Sequence, residues 1–119
     1  MVLQKRIVRK IANADFNDHS LPLFARFKLL KLNDLYKFHS VLDAHKKIKS
    51  GSYTVSHDRH TRNCNLALPK FHRLTRCQQS STFRGQNFWN ELPSVIRDID
   101  SISLFKNKVK SHYIDLYSL

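Results

Sequence analysis

The chain has 119 residues, which fits one domain with a single modest hydrophobic core. It carries 21 Lys and Arg residues against 9 Asp and Glu, for a formal net charge of +12. Mutual repulsion of these charges opposes compaction unless an anionic partner is present, so we expect marginal stability in isolation. The charge favours a nucleic-acid partner, although basic extracellular proteins and proteins that bind anionic membranes share this trait.

Localisation is predicted from what the sequence lacks. No apolar run approaches the roughly 18 residues needed to span a bilayer, and the amino end has no apolar signal core. We therefore expect an intracellular protein, in the nucleus or the cytoplasm, that does not enter a membrane. The two cysteines, Cys64 and Cys77, could form at most one bridge, so we expect reduced thiols rather than a disulfide framework.

Two helices are predicted before residue 30. The first, at about 2–13, is amphipathic, because apolar residues recur every four positions and basic residues lie mostly outside that stripe. Its stripe consists of Leu3, Ile7 and Ile11. The second, at about 21–27, follows Ser20, which precedes Pro22 as an N-cap precedes an early helical proline.

A long helix is predicted at about 33–49, where apolar residues keep the three-and-four spacing of a buried face. The stripe consists of Leu35, Phe38, Val41, Leu42, His45 and Ile48. We expect Asn33 or Asp34 to cap its start and the pair Ser50-Gly51 to end it.

Periodicity fails in the middle of the chain, at about 52–85, and this region is predicted to be irregular with short strands. The residues Cys64, Leu66 and Leu68 alternate with Asn63, Asn65 and Ala67 up to Pro69, which is typical of a short half-buried strand. Residues 80–83 are expected to pair with it.

After Gly85, Phe88-Trp89 is expected to begin a helical turn, and two further helices are predicted at about 93–98 and 102–117. Ser101 is expected to cap the last of these, in which Ile102, Phe105, Val109, Tyr113 and Leu116 form one stripe.

The predicted fold class is therefore mainly α. Residues 1–119 would form a small single-domain helical assembly with a short extended or two-stranded β segment in the middle. Trp89 is expected to anchor the core rather than to serve as a base-stacking platform, because apolar neighbours at helical spacing would surround it. The core would be built by Trp89, Leu92, Phe105 and Val109.

One segment is similar to a known family. Residues 82–93 read Thr-Phe-Arg-Gly-Gln-Asn-Phe-Trp-Asn-Glu-Leu-Pro. They resemble Phe-x-Tyr-Arg-Gly-x-x-x-Trp-Asn-x-Leu-Pro, which occurs near the carboxyl end of reverse transcriptases from non-LTR, LINE-type, jockey-like retrotransposons. Shorter similarities occur in the family's order at Leu3–Ile11, Pro22–Phe24, Leu30–Lys37, His57–Asn63, Leu66–Pro69 and Ser101–Lys110.

The resemblance implies the carboxyl-terminal segment of such a polymerase, without its catalytic core. The family's Tyr/Phe-x-Asp-Asp turn has no counterpart here, and Asp98-Ile99-Asp100 has no third acidic residue in its sequence context. Because two-metal phosphoryl transfer needs a cluster of carboxylates, we expect no enzymatic activity and no cofactor. The family's tyrosine and asparagine in His-Ser-Tyr-Asn-Thr-Arg are replaced by Arg59 and His60.

The candidate binding surface lies between Asp58 and Glu91, an interval without an acidic residue. Its basic residues are Arg59, Arg62, Lys70, Arg73, Arg76 and Arg84, and a second basic surface comprises Lys5, Arg6, Arg9 and Lys10. A guanidinium group can form a bidentate pair of hydrogen bonds with a phosphate, and the rings of Phe71 or Phe83 could stack on unpaired bases. Single-stranded or irregular RNA therefore suits this surface better than a duplex. The alternative is a solvated basic face, or one docked on an acidic patch of the polymerase.

The sequence offers weaker evidence for metal binding or hydrolysis than for nucleic-acid binding. His57, His60, Cys64, His72 and Cys77 could supply zinc ligands, but no Cys-x-x-Cys pair is present. No Gly-x-Ser-x-Gly or Cys-His signature of a hydrolase occurs. His39 and His45 lie on or beside the stripe of the long helix, so we expect hydrogen-bonded interior residues rather than ligands.

Two functions follow. The first is a non-catalytic module that binds template RNA or target DNA beside the polymerase. The second is an orphaned structural remnant that braced the polymerase thumb and has no activity of its own; its apolar stripes would then stay partly uncovered, giving a molten or aggregating chain.

Overall fold

The computed structural model describes residues 2–52, 66–67 and 73–118. Its helices are α1 (Val2–Ile11), α2 (Ser20–Arg26), α3 (Leu32–Lys49), α4 (Thr75–Gln78), α5 (Ser81–Glu91), α6 (Ser94–Arg97) and α7 (Ile102–Asp115). The mainly α, single-domain prediction is confirmed. No strand occurs in the described ranges, and most of the predicted strand at 64–68 lies outside them. None of the helices in these ranges has the length and apolar character needed to cross a bilayer.

The central element is α3, and its carboxyl end follows the sequence prediction. Gly51 adopts a φ of 76°, a conformation that glycine reaches without steric cost. Its N–H donates to the Ile48 carbonyl at 3.1 Å, and the Ser52 N–H donates to the Lys47 carbonyl at 2.9 Å. These two bonds form a Schellman motif, which satisfies carbonyls of the last turn.

The amino end of α3 is capped differently from the prediction. Lys31 occupies the N-cap position, and neither Asn33 nor Asp34 does. The Lys31 N–H donates to the Tyr117 hydroxyl at 3.1 Å, and the Leu32 N–H donates to Gln4 Oε1 at 3.1 Å. Side chains remote in sequence therefore satisfy the free amides of the first turn, which local sequence cannot reveal.

The hydrophobic core lies where α3 contacts α5 and α7. The four predicted core residues Trp89, Leu92, Phe105 and Val109 are all buried, which confirms that prediction. From α3, buried Phe38, Val41, Ala44 and Ile48 join the same cluster. The predicted stripes are not buried along their whole length: Leu35 at the start of α3 is exposed, as are Ile102 and Leu116 at the two ends of the stripe of α7.

Helix α5 corrects the prediction of strand at 80–83 and irregular chain up to residue 85. Ser80 occupies the N-cap position, and its side chain accepts a hydrogen bond from the Phe83 N–H at 3.3 Å. Because serine is a favoured N-cap, the polar cluster at the start of this segment begins a helix instead of a strand. The short helix α4 also lies within the region predicted to be irregular.

Gly85 lies inside α5 because the backbone of α3 passes close to it. A Cβ atom at this position would lie 2.7 Å from the Ser40 carbonyl oxygen and 3.5 Å from the Ala44 Cβ. Small residues at such a crossing let two helices approach closely. Gly85, predicted to lie at the end of the irregular region, is therefore a packing residue inside a helix.

The first two helices form as predicted but differ in detail. The stripe of α1 is uncovered: Leu3, Ile7 and Ile11 are 72%, 57% and 63% exposed. Val8 is the buried residue of this helix. In α2, His19 occupies the N-cap position and Ser20 is the first helical residue, so the predicted Ser20 cap is wrong.

Candidate nucleic-acid interface

The basic residues predicted to bind nucleic acid fall into three groups. Arg59, Arg62 and Lys70 lie outside the described residues, as do His57, His60, Cys64 and His72 of the alternative zinc set. The other two groups are the basic residues of α1 and the three arginines Arg73, Arg76 and Arg84.

The basic surface of α1 is brought together around a shallow pocket of about 200 Å³. Arg6, Arg9 and Lys10 line it together with Phe16. Arg9 is partly engaged within the protein, since its Nε donates to the Asp18 carbonyl at 2.8 Å and its guanidinium lies 6.0 Å from the centre of the Phe16 ring. Lys5 lies on the same helix and is half-buried.

Arg73, Arg76 and Arg84 are exposed to solvent. Within residues 2–52, 66–67 and 73–118, none of the three forms an ion pair with a carboxylate; the pairs described there are Lys47 with Asp43 and Lys49 with Asp100. Arg73 precedes α4 and Arg76 lies on it, whereas Arg84 lies on α5 at the edge of a larger groove.

This groove, between α3 and α5, encloses about 600 Å³. We call it the α3–α5 groove. The described residues that line it are Leu32, Asn33, Leu35, Tyr36, Lys37, His39, Arg84 and Phe88. It joins aromatic and aliphatic walls to a cationic rim, and of the predicted binding residues that the structure describes, Arg84 alone lines it.

Two aromatic rings are in contact in the α3–α5 groove. The ring centres of Tyr36 and Phe88 lie 6.4 Å apart, and the ring planes meet at 88°. This edge-to-face arrangement is a favoured geometry for aromatic pairs. Phe88 packs against the core, whereas Tyr36 remains 42% exposed. Lys37 Nζ lies 5.5 Å from the centre of the Phe88 ring.

The charge lining the groove is of one sign. Lys37 and Arg84 are cations, and no carboxylate is among the described lining residues. Asp43 lies in an adjacent cavity that Tyr36 and His39 also line. Its carboxylate is 2.7 Å from Lys47 Nζ, so its charge is compensated locally.

The two histidines of α3 have different environments. His39 is exposed, so the prediction of an interior residue is wrong for it. His45 is fully buried and confirms the prediction: its ring stacks on Phe105 with centres 3.6 Å apart, and its Nδ1 accepts a hydrogen bond from Trp89 Nε1 at 3.2 Å.

The protonation state of His45 follows from this contact. An indole N–H can only donate, so Nδ1 is unprotonated and the proton lies on Nε2, which makes no hydrogen bond of ordinary geometry within the described residues. Burial lowers the pKa of His45, and the charge of Lys49 lowers it further. The Ile99 backbone and Asp100 partly oppose this shift.

Metal binding has no support in the described part of the chain. No group of three or more His, Cys, Asp and Glu residues there is placed to hold an ion. Of the five residues that could bind zinc, only Cys77 is described, as a half-buried free thiol. The zinc alternative therefore stays a sequence-based hypothesis.

Sequence reasoning identified Arg84 but not Tyr36, Lys37 or Phe88 as groove residues. The available signal is the adjacent aromatic and basic pair Tyr36-Lys37 on α3, which lies within the family-like segment Leu30–Lys37. No family model, curated protein or solved structure matches this chain. Its function is therefore inferred from the site and from the sequence resemblance.

Proposed function

We propose that the chain is a non-catalytic nucleic-acid-binding module, derived from the carboxyl-terminal part of a LINE-type reverse transcriptase. Its basic residues bind phosphates of template RNA or target DNA. The observation that carries this proposal is the exposure of Arg73, Arg76 and Arg84 without a carboxylate partner among the described residues. The resemblance of residues 82–93 supports the assignment to the retrotransposon family.

The physical argument concerns charge that the fold leaves uncompensated. A guanidinium group presents a planar fork that binds phosphate oxygens in pairs, and binding releases counterions from the nucleic acid. The net charge of +12 adds attraction at long range, which raises the rate of encounter with any polyanion. The basic side chains on α1 supply a second surface of the same sign.

Salt dependence tests this function. The affinity for a labelled single strand of about 12 nucleotides, RNA or DNA, should be measured by fluorescence anisotropy between about 50 and 200 mM salt. We expect a log–log slope of roughly −0.7 for each phosphate neutralised. Binding that does not change with salt, or no binding, contradicts the proposal.

A matched pair of variants makes the test specific. Arg84→Gln should reduce the magnitude of the slope by about 0.7, because one phosphate contact is removed. Lys49→Gln changes the net charge by the same amount, but Lys49 is already paired with Asp100 at 2.6 Å and is not expected to bind a phosphate. The salt slope measured with this variant should therefore equal that of the wild-type chain. Equal slopes for the two variants would show that only net charge matters.

A second candidate, a structural segment that braces the polymerase, is favoured by the uncovered stripe of α1. Leu3, Ile7 and Ile11 form an apolar face that another protein surface could cover. Under this alternative the isolated chain should lack a cooperative thermal transition and dispersed amide resonances. A sharp transition in calorimetry would contradict it.

A further inference from the structure

The α3–α5 groove has a composition that phosphate binding alone does not require. We propose that it binds one unpaired base of a single-stranded nucleic acid against Tyr36, while Lys37 and Arg84 bind the adjacent phosphates. This inference rests on the proposed function, and it names both the class of ligand and the place where the base lies.

The first argument is the aromatic wall. Tyr36 is 42% exposed although it lies on a helix whose next turn is buried in the core, so its ring is accessible to a ligand on a fixed support. Phe88 holds this ring edge-to-face. Aromatic rings presented in this way are stacking platforms for bases of any identity.

The second argument is the charge beside the rings. Arg84 and Phe88 are four residues apart on α5 and therefore lie on the same face of that helix. Lys37 reaches the same place from α3. A base that enters the groove thus brings its phosphates to cations, with no carboxylate among the described lining residues to repel them.

The third argument is size and rigidity. The volume of about 600 Å³ is that of a small-ligand site rather than of a duplex-binding channel. Because the backbones of α3 and α5 meet at Gly85 and Ser40, the walls of the groove are held at a fixed distance. In a duplex the bases are stacked on each other, so only an unpaired base can reach Tyr36.

The experiment uses the full chain and a DNA strand of about 12 nucleotides with one central 2-aminopurine, whose fluorescence is quenched when it stacks. Three proteins are compared: wild type, Tyr36→Leu and Tyr36→Phe. We expect Tyr36→Leu to bind about tenfold more weakly and to lose the quenching, with an unchanged salt slope. Tyr36→Phe should retain both properties because it retains the ring.

Ligand controls separate stacking from charge. An abasic strand should bind the wild-type chain about as weakly as the normal strand binds Tyr36→Leu. A duplex of equal length and an oligoglutamate of equal charge should both compete poorly. Circular dichroism melting of Tyr36→Leu should remain cooperative and close to the wild-type curve, because Tyr36 lies outside the core cluster and leucine keeps an apolar contact with Phe88.

The failures of the two proposals are distinguishable. If the wild-type chain binds single strands with the expected salt slope, but Tyr36→Leu shows the same affinity and quenching, the base site is wrong and the phosphate-binding function stands. Oligoglutamate that competes as well as the single strand also overturns the base site, in favour of an acidic peptide. Absence of salt-dependent binding to any nucleic acid overturns both.

Discussion

Helices α1 and α7 have the same kind of apolar stripe in sequence but different surroundings in the fold. The stripe of α7 is buried at Phe105, Val109 and Tyr113, where it packs on α3. The stripe of α1 is exposed at Leu3, Ile7 and Ile11. Periodicity therefore indicates that a helix has a face to bury, but it does not indicate whether the chain supplies the surface that covers it.

The two parts of the molecule therefore contribute unequally to the free energy of folding. Helices α3, α5 and α7 share one core cluster, so their side chains contribute most of the free energy of folding. Helix α1 is held by Val8 and by the side chain of Gln4, whose Nε2 donates to the Leu30 carbonyl at 3.0 Å. Substitutions in the two regions should have different consequences.

The largest effect is expected at the crossing of α3 and α5. Gly85→Ala should lower the free energy of unfolding by about 1–3 kcal/mol, because the new methyl group meets a backbone oxygen that cannot turn away. This cost opposes the higher helix propensity of alanine. Urea denaturation followed by circular dichroism measures the change.

The control for this variant is Thr82→Ala on the exposed side of the same helix, which should change stability by less than about 0.5 kcal/mol. If Gly85→Ala is as stable as the wild-type chain, the two helices are farther apart in solution than the structure describes.

An intermediate effect is expected from acid. Because the pKa of His45 is lowered in the folded state, His45 binds a proton more readily in the unfolded chain than in the folded chain. The contribution of His45 is complete above its unfolded pKa of about 6.5 and is lost as the pH falls from there through the lower folded pKa. The free energy of unfolding should therefore decrease between about pH 7.5 and pH 5.

Two histidine variants assign this pH dependence. His45→Gln should flatten the curve in that range, whereas His19→Gln, at an exposed position, should leave its slope unchanged. The same slope in both variants would show that the core histidine does not control acid stability.

The smallest effect on stability is expected in α1. Replacing Leu3, Ile7 and Ile11 with glutamine should change the free energy of unfolding by less than about 0.5 kcal/mol per site, because these side chains are already in water. Sedimentation should show less self-association of this variant, since an exposed apolar face is removed.

The matched control is Val8→Gln, which should cost more than about 1.5 kcal/mol because Val8 is buried. A comparable loss of stability in the triple variant would mean that the stripe is covered in solution.

Local sequence was sufficient for the fold where an element is specified by its own residues. Both α3 and α7 follow from apolar spacing, and the end of α3 follows from Ser50-Gly51. Helix α5 did not follow, because Gly85 is needed for its contact with Ser40, a residue of another helix. A glycine in that role cannot be distinguished by local sequence from a glycine in a turn.

The same limit applies to the site. Arg84 was predicted because it lies in a long interval without acidic residues. Tyr36 and Phe88 could not be paired, since they meet only after α3 and α5 pack. His45 belongs to the apolar stripe of α3 and His39 does not, so the stripe distinguishes them, but the contacts of His45 with Trp89 and Phe105 form only after the helices pack.

The contact between Trp89 and His45 has a practical consequence. Trp89 is the single tryptophan of the chain and lies 3% exposed in the core, with its indole N–H bonded to His45. Its emission should be blue-shifted while the core is intact and should move to longer wavelength on unfolding. Because it does not line the α3–α5 groove, a ligand there should leave this intrinsic signal unchanged, so the integrity of the core and occupancy of the groove can be followed separately in one sample.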